Sequence, residues 1–123
     1  MKRMWCALSE GLSYVSLPSG APQNANLCIR LGTDDMLPYF SKGQIIYVDK
    51  YSMPDEMQPG LFYYDGRVYV RQWCIDYCGT LHLLPSNPAS GSEKVSIPKR
   101  ERYKCLFLGR VLAEYALPEP EYK

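Results

Sequence analysis

The sequence lacks the features that would place it at once among membrane, nucleic-acid or metal proteins. No apolar run approaches the roughly 20 residues that carry a helix across a bilayer. The opening Met1 to Leu8 carries Lys2 and Arg3, but Ser9, Glu10 and Gly11 interrupt it before a signal-like apolar region forms. Charge of one sign is also missing: 14 Lys and Arg stand against 13 Asp and Glu, a net charge of +1, and no run of about five like charges forms a tail. There is 1 histidine, His82. An even, regularly spaced cysteine framework is absent, because Cys6, Cys28, Cys74, Cys78 and Cys105 are an odd, scattered set. These absences predict an unexported protein of the reducing cytoplasm with no membrane partner.

What is present favours strands. The 123 residues suit one domain with one core, and 11 Tyr, 10 Pro and 9 Gly, with few helix formers in periodic arrangement, point to strands and turns. Leu12 to Leu17 alternates and stops at Pro18-Ser19-Gly20-Ala21-Pro22; Leu27 to Leu31 and Gln44 to Lys50 read as strands flanking a turn. Tyr51 to Pro59 reads as a surface loop. Asp65-Gly66 joins Leu61–Tyr64 to Val68–Trp73 in a hairpin, since both turn residues tolerate positive φ. A second hairpin turns through Asp76 to Gly79 into Thr80–Leu84, Val95–Ile97 is a short strand, and Tyr103 to Tyr115 a long final one. The prediction is a mainly β domain of coiled sheets with little helix. It is divided into an N-terminal arm, strand and loop (1–26), a main body (27–115) and a disordered tail within 116–123. The first dozen residues read as a short helix or an arm.

Thr33-Asp34-Asp35-Met36-Leu37-Pro38, followed by Gly43 and the strand ending Val48-Asp49, resembles the nucleophile segment of the LexA-like self-cleaving repressors. In that family a serine precedes Met-x-Pro. The hairpin strand Arg67-Val68-Tyr69-Val70-Arg71-Gln72-Trp73 matches the family's lysine-bearing strand, Leu81 to Pro88 its Leu-x-Leu-x-Ser-x-Asn segment, and Leu108-Gly109-Arg110-Val111 its closing strand. The resemblance implies a LexA and signal-peptidase type of coiled sheet. It puts Asp35 at the serine position and Arg71 at the lysine position, 36 residues apart. Neither substitute does the original chemistry: Asp35 has no hydroxyl, and a guanidinium stays protonated and has no lone pair to act as base. A carboxylate and a guanidinium facing one cleft instead form a charge-assisted pair, monodentate or bidentate. The family cuts an Ala-Gly or Cys-Gly bond upstream of its serine. This chain has no Ala-Gly, and its Cys78-Gly79 lies downstream in a hairpin tip.

Other residues were candidates for chemistry. Cys74, Cys78 and His82 recur every 4 residues and carry zinc-ligand atoms, but on a hairpin this spacing is expected to scatter them over both faces, with nothing to orient the histidine; ordinary core or surface cysteines are the simpler reading. Asp34 beside Asp35 could suggest a carboxylate pair, but adjacent residues point apart, and turn capping explains Asp34 at least as well. Lys99, Arg100, Arg102 and Lys104 read as a solvated strand end. Tyr63, Tyr64, Tyr69 and Trp73 read as a half-buried sheet face or an interface rather than a base-stacking platform. No cofactor and no metal is implied.

The resemblance then implies a non-catalytic domain that keeps the family's other role, self-association in a transcriptional repressor of phage or mobile-element type. Its homodimer would use Leu106, Leu108 and Val111, residues that would serve equally well as core, and a missing or partner helix-turn-helix domain would contact DNA. A decoy that pairs with an intact repressor is a variant of this reading. An atypical self-cleaving peptidase using Asp35 or a cysteine is the alternative.

Overall fold

Side-chain alternation along the central hairpin sets the architecture. In Leu61-Phe62-Tyr63-Tyr64, Leu61 and Tyr63 join one apolar cluster while Phe62 and Tyr64 join another, because successive side chains of a strand point to opposite faces. The same split runs along the partner strand, where Val68 and Val70 enter the first cluster and Tyr69 and Trp73 pack on the second. The sheet therefore has a core on each face. The structure is a computed structural model and describes residues 12–15, 17–87, 89, 91, 93–113 and 116–118. The N-terminal arm and the tail beyond Pro118 expected from sequence lie outside the described residues.

The described chain is mainly β. Strands β1 (Leu12–Val15), β2 (Leu27–Leu31), β3 (Ile45–Asp49), β4 (Pro59–Tyr64), β5 (Arg67–Ile75), β6 (Leu81–Leu84), β7 (Val95–Ile97) and β8 (Leu106–Val111) form an 8-stranded sheet in the order β1-β2-β3-β8-β4-β5-β6-β7. All its pairings are antiparallel. The β4–β5 turn has Asp65 at φ 52° and Gly66 at φ 79°, the paired positive values expected of this dipeptide. Tyr51 to Gln58 is a surface loop whose Pro54 is buried.

The last strand is shorter than its sequence suggested. Lys99–Lys104 is a 3-10 helix, so Tyr103 and Lys104 precede the strand and the basic cluster lies on the helix rather than on a strand end. Pro98, at φ −59°, starts the turn and its carbonyl accepts from Glu101 N. The polar run that follows has no alternating apolar face to hold it in a sheet. Strand β8 is inserted between β3 and β4, with Val48 opposite Val111 and Leu61 opposite Gly109. A bulge follows, since Phe62 then faces Phe107 and Leu108 is the extra residue.

The first cluster unites Leu27, Ile29, Ile46, Val48, Leu61 and Val111 with Met36 and Phe40 from the β2–β3 loop. Each such buried side chain stabilises the fold by about 1.5–3 kcal/mol. Burial of Met36 and Phe40 fixes the loop that carries Asp35.

Candidate functional site

Three stretches that are distant in sequence converge beside the first core. The β2–β3 loop enters from Leu31, and Met36, 1% exposed, anchors it. Asp34 acts as a turn-former: its Oδ1 accepts from Lys42 N at 3.3 Å. Asn87 clamps the loop from beyond β6, donating Nδ2 to the Asp34 carbonyl at 2.9 Å and its backbone N to the Asp35 carbonyl at 2.9 Å. From β5, Arg71 Nη2 donates to Asp35 Oδ2 at 3.2 Å.

Asp35 and Arg71, predicted to share a cleft, are thus in contact. Their side chains are 14% and 9% exposed, so water screens the pair only partly. Arg71 is held on other sides as well. Its Nη1 donates to the Val70 carbonyl at 3.0 Å, and its guanidinium lies 5.3 Å from the Tyr69 ring centroid, within cation–π range. In this state the guanidinium is a fixed charge engaged by a carboxylate, with no lone pair to take a proton.

Gln72 was not singled out from sequence, yet it is the polar centre behind this pair. Fully buried, it donates Nε2 to the Met57 carbonyl at 2.7 Å and to the Pro118 carbonyl at 2.8 Å, and accepts from Ser86 Oγ at 2.6 Å. Gln58 receives Leu117 N on Oε1 at 2.8 Å and returns Nε2 to the Leu117 carbonyl at 3.0 Å. One carboxamide thereby pairs both backbone groups of Leu117, as a neighbouring strand would. Leu117 itself is buried in the first cluster. A groove of about 610 Å³ beside this strap is lined by Tyr39, Phe40, Tyr47, Arg110, Leu112 and Leu117.

The other candidates are arranged differently from expectation. Cys74 and His82 do not scatter: they are register partners across β5 and β6 and so share a face, while Cys78 lies exposed in the turn. Nor is His82 without an orienting group. Its Nε2 lies 2.9 Å from Asp76 Oδ2 and its Nδ1 2.9 Å from Ser96 Oγ. Among the described residues, no three His, Cys, Asp or Glu side chains are placed to hold a metal ion.

On the opposite face, Trp73, Phe62, Ile75, Cys105 and Phe107 line an apolar groove of about 340 Å³. Trp73 Nε1 is buried there without a hydrogen-bond partner among the described residues, and burial pushes the Cys105 thiol up to about 11. The hairpin aromatics divide between the faces: Tyr63 packs on the first cluster, Tyr64, Tyr69 and Trp73 on the second. Of the basic cluster, Arg102 donates Nη1 to the Gly79 carbonyl at 3.2 Å, and Lys104 and Arg100 flank Glu101 at 3.8 and 4.0 Å. No family model matches the sequence, and a search of curated proteins finds no similar one.

Proposed function

We propose that the chain is a LexA-like domain inactive as a self-cleaving peptidase, the dimerisation and regulatory module of a transcriptional repressor of phage or mobile-element type. The observation that carries the reading is the 3.2 Å contact between Asp35 and Arg71. The two positions that the resemblance assigns to nucleophile and base face each other, but hold a carboxylate and a guanidinium. The Ser86-Asn87 segment, matched independently, reaches the same loop through Asn87 and the neighbouring Gln72 through Ser86. This convergence supports the match of the segments.

Self-association is assigned to the face that carries β8. Leu108 and Val111, expected in the interface, pack inward. Leu106 and Tyr103 point outward, 52% and 76% exposed, and Tyr103 borders the apolar groove containing Trp73 and Phe107. A second copy is the occupant this reading commits to, with DNA contacted by a helix-turn-helix domain on a longer or partner chain.

Sedimentation velocity of the purified protein at tens of micromolar tests it. A dimer that Leu106→Asp converts to monomer is expected; a strict monomer removes the dimerisation argument. Incubation at alkaline pH tests inactivity. Specific self-cleavage abolished by Asp35→Ala would overturn the reading in favour of an atypical peptidase.

A further inference from the structure

The geometry points to a second, chemically distinct site where the β5–β6 turn meets the paired strands β6 and β7, in which Asp76, His82 and Ser96 form a relay that makes Ser96 a nucleophile toward small acyl esters. It is separate from the Asp35–Arg71 pair and does not depend on the function proposed for that pair.

Strand register builds the relay. His82 lies directly opposite Ser96 across β6 and β7, which places the side chains on one face. Asp76 stands at the mouth of the β5–β6 turn. Its Oδ1 accepts from Cys78 N at 2.9 Å and from Thr80 N at 3.0 Å, which fixes the carboxylate and leaves Oδ2 aimed at His82 Nε2, 2.9 Å away.

The carboxylate determines the tautomer. The hydrogen bond from His82, then that from Thr80, holds the Asp76 carboxyl below its ordinary value of 3.8, so it is ionised at neutral pH and only accepts. The imidazole proton therefore sits on Nε2, and the lone pair sits on Nδ1, 2.9 Å from Ser96 Oγ. The hydroxyl donates to it. A hydroxyl, a base and a carboxylate that orients the base are the parts of an acyl-transfer nucleophile. Ser96 is exposed, so an ester has open access. Strand β7 is the last of the sheet, and among the described residues no strand pairs with its outer edge. Edge N–H groups are the class of donor that an oxyanion requires.

In the reaction, Ser96 Oγ bonds to the ester carbonyl carbon as its proton passes to Nδ1. The carbon–oxygen bond to the leaving group then breaks, and Nδ1 returns the proton to the departing oxygen. Water repeats the sequence: its oxygen attacks the acyl carbon, its proton moves to Nδ1, and Ser96 Oγ leaves and regains that proton. No oxidant, metal or cofactor is consumed.

The test uses the full chain with p-nitrophenyl acetate and a fluorophosphonate probe, following p-nitrophenolate release and mapping the adduct by peptide mass spectrometry. The expected result is a single adduct on Ser96. Ser96→Ala should abolish it, and His82→Gln or Asp76→Asn should slow acetylation about tenfold or more, within the range of positioned general bases. Free imidazole should restore part of the rate to His82→Ala, which a merely structural tie between β6 and β7 would not predict. Adducts on lysines or on Cys74, or a Ser96→Ala protein that reacts like the parent while its circular dichroism is unchanged, would overturn the proposal. The parent adduct is mapped without any variant, so a variant that misfolds does not remove the test.

Discussion

Asp35→Ala isolates the energetic weight of the central ion pair. Removing one partner of a buried pair costs about 3–5 kcal/mol, because the remaining charge is left without its counterpart in a poor solvent. Two features of this site place the expected cost just below that range. The Asp35 side chain is 14% exposed, so water can enter the vacated space, and Arg71 keeps the Val70 carbonyl and the Tyr69 ring. A loss of about 2–3 kcal/mol follows, which at roughly 4 °C per kcal/mol for a chain of this length lowers Tm by about 8–12 °C. The double variant Asp35→Ala, Arg71→Met should recover most of the loss, since an apolar replacement of a buried pair is often neutral. Urea unfolding followed by circular dichroism reads Asp35→Ala, Arg71→Met and the double variant, with the parent, as a thermodynamic cycle. An Asp35→Ala protein within about 0.5 kcal/mol of the parent would refute the reasoning, as that is the level of an exposed pair.

Other perturbations test other joints of the fold. Gly109→Ala should destabilise by about 1–3 kcal/mol, since its Cβ would collide with Val48 Cγ1 and come within 2.9 Å of Lys50 Cα and 3.0 Å of the Asp49 carbonyl at the β3–β8 seam; thermal melts check it. Gln58→Ala leaves the Leu117 N–H and carbonyl without their shared partner and should cost about 1–2 kcal/mol, with faster amide exchange at Leu117. Asp49 is held below its ordinary 3.8 first by the Ser52 hydroxyl and then by Tyr51 N, so its folded value lies below its unfolded one. That contribution is present above pH 3.8 and fades as pH falls through the folded value. Asp49→Asn should therefore keep its deficit to the parent from pH 7 down to about pH 4 and narrow it only as urea midpoints are taken below pH 3.8.

Much of the strand pattern was visible in the sequence because period-2 alternation and turn chemistry are local signals. Leu27 to Leu31 is strand β2 at those bounds, and Asp65-Gly66 adopts the positive φ pair that the dipeptide favours. The insertion of β8 between β3 and β4 was not visible. It rests on contacts such as Val48 with Val111, between strands far apart in the chain, and no local pattern encodes such a neighbour. The overlong final strand has a local cause. Tyr103 carries an apolar ring and scores as a strand residue, but Pro98 and the charged run after it divert the chain into a 3-10 turn before Leu106.

The sites divide along the same line. Asp35 and Arg71 were legible as a pair because opposite charges stood at positions that the resemblance to the LexA-like repressors had already brought together. Gln58 and Gln72 gave no signal, since their roles depend on Leu117 and Pro118 arriving from the far end of the chain. The histidine site lies between these cases. Cys74 and His82 are equidistant from Cys78, the middle of the β5–β6 turn, and a tight antiparallel hairpin sets such residues opposite each other on one face. Their pairing could therefore be derived from the turn alone, and the expectation that they scatter treated hairpin spacing as if it ran along one strand. Ser96 could not be found this way, because the β6–β7 connection is too long for any turn to fix its register. Residue type was a sufficient guide where a short turn dictated geometry; beyond that reach, only the folded sheet places the hydroxyl beside the imidazole.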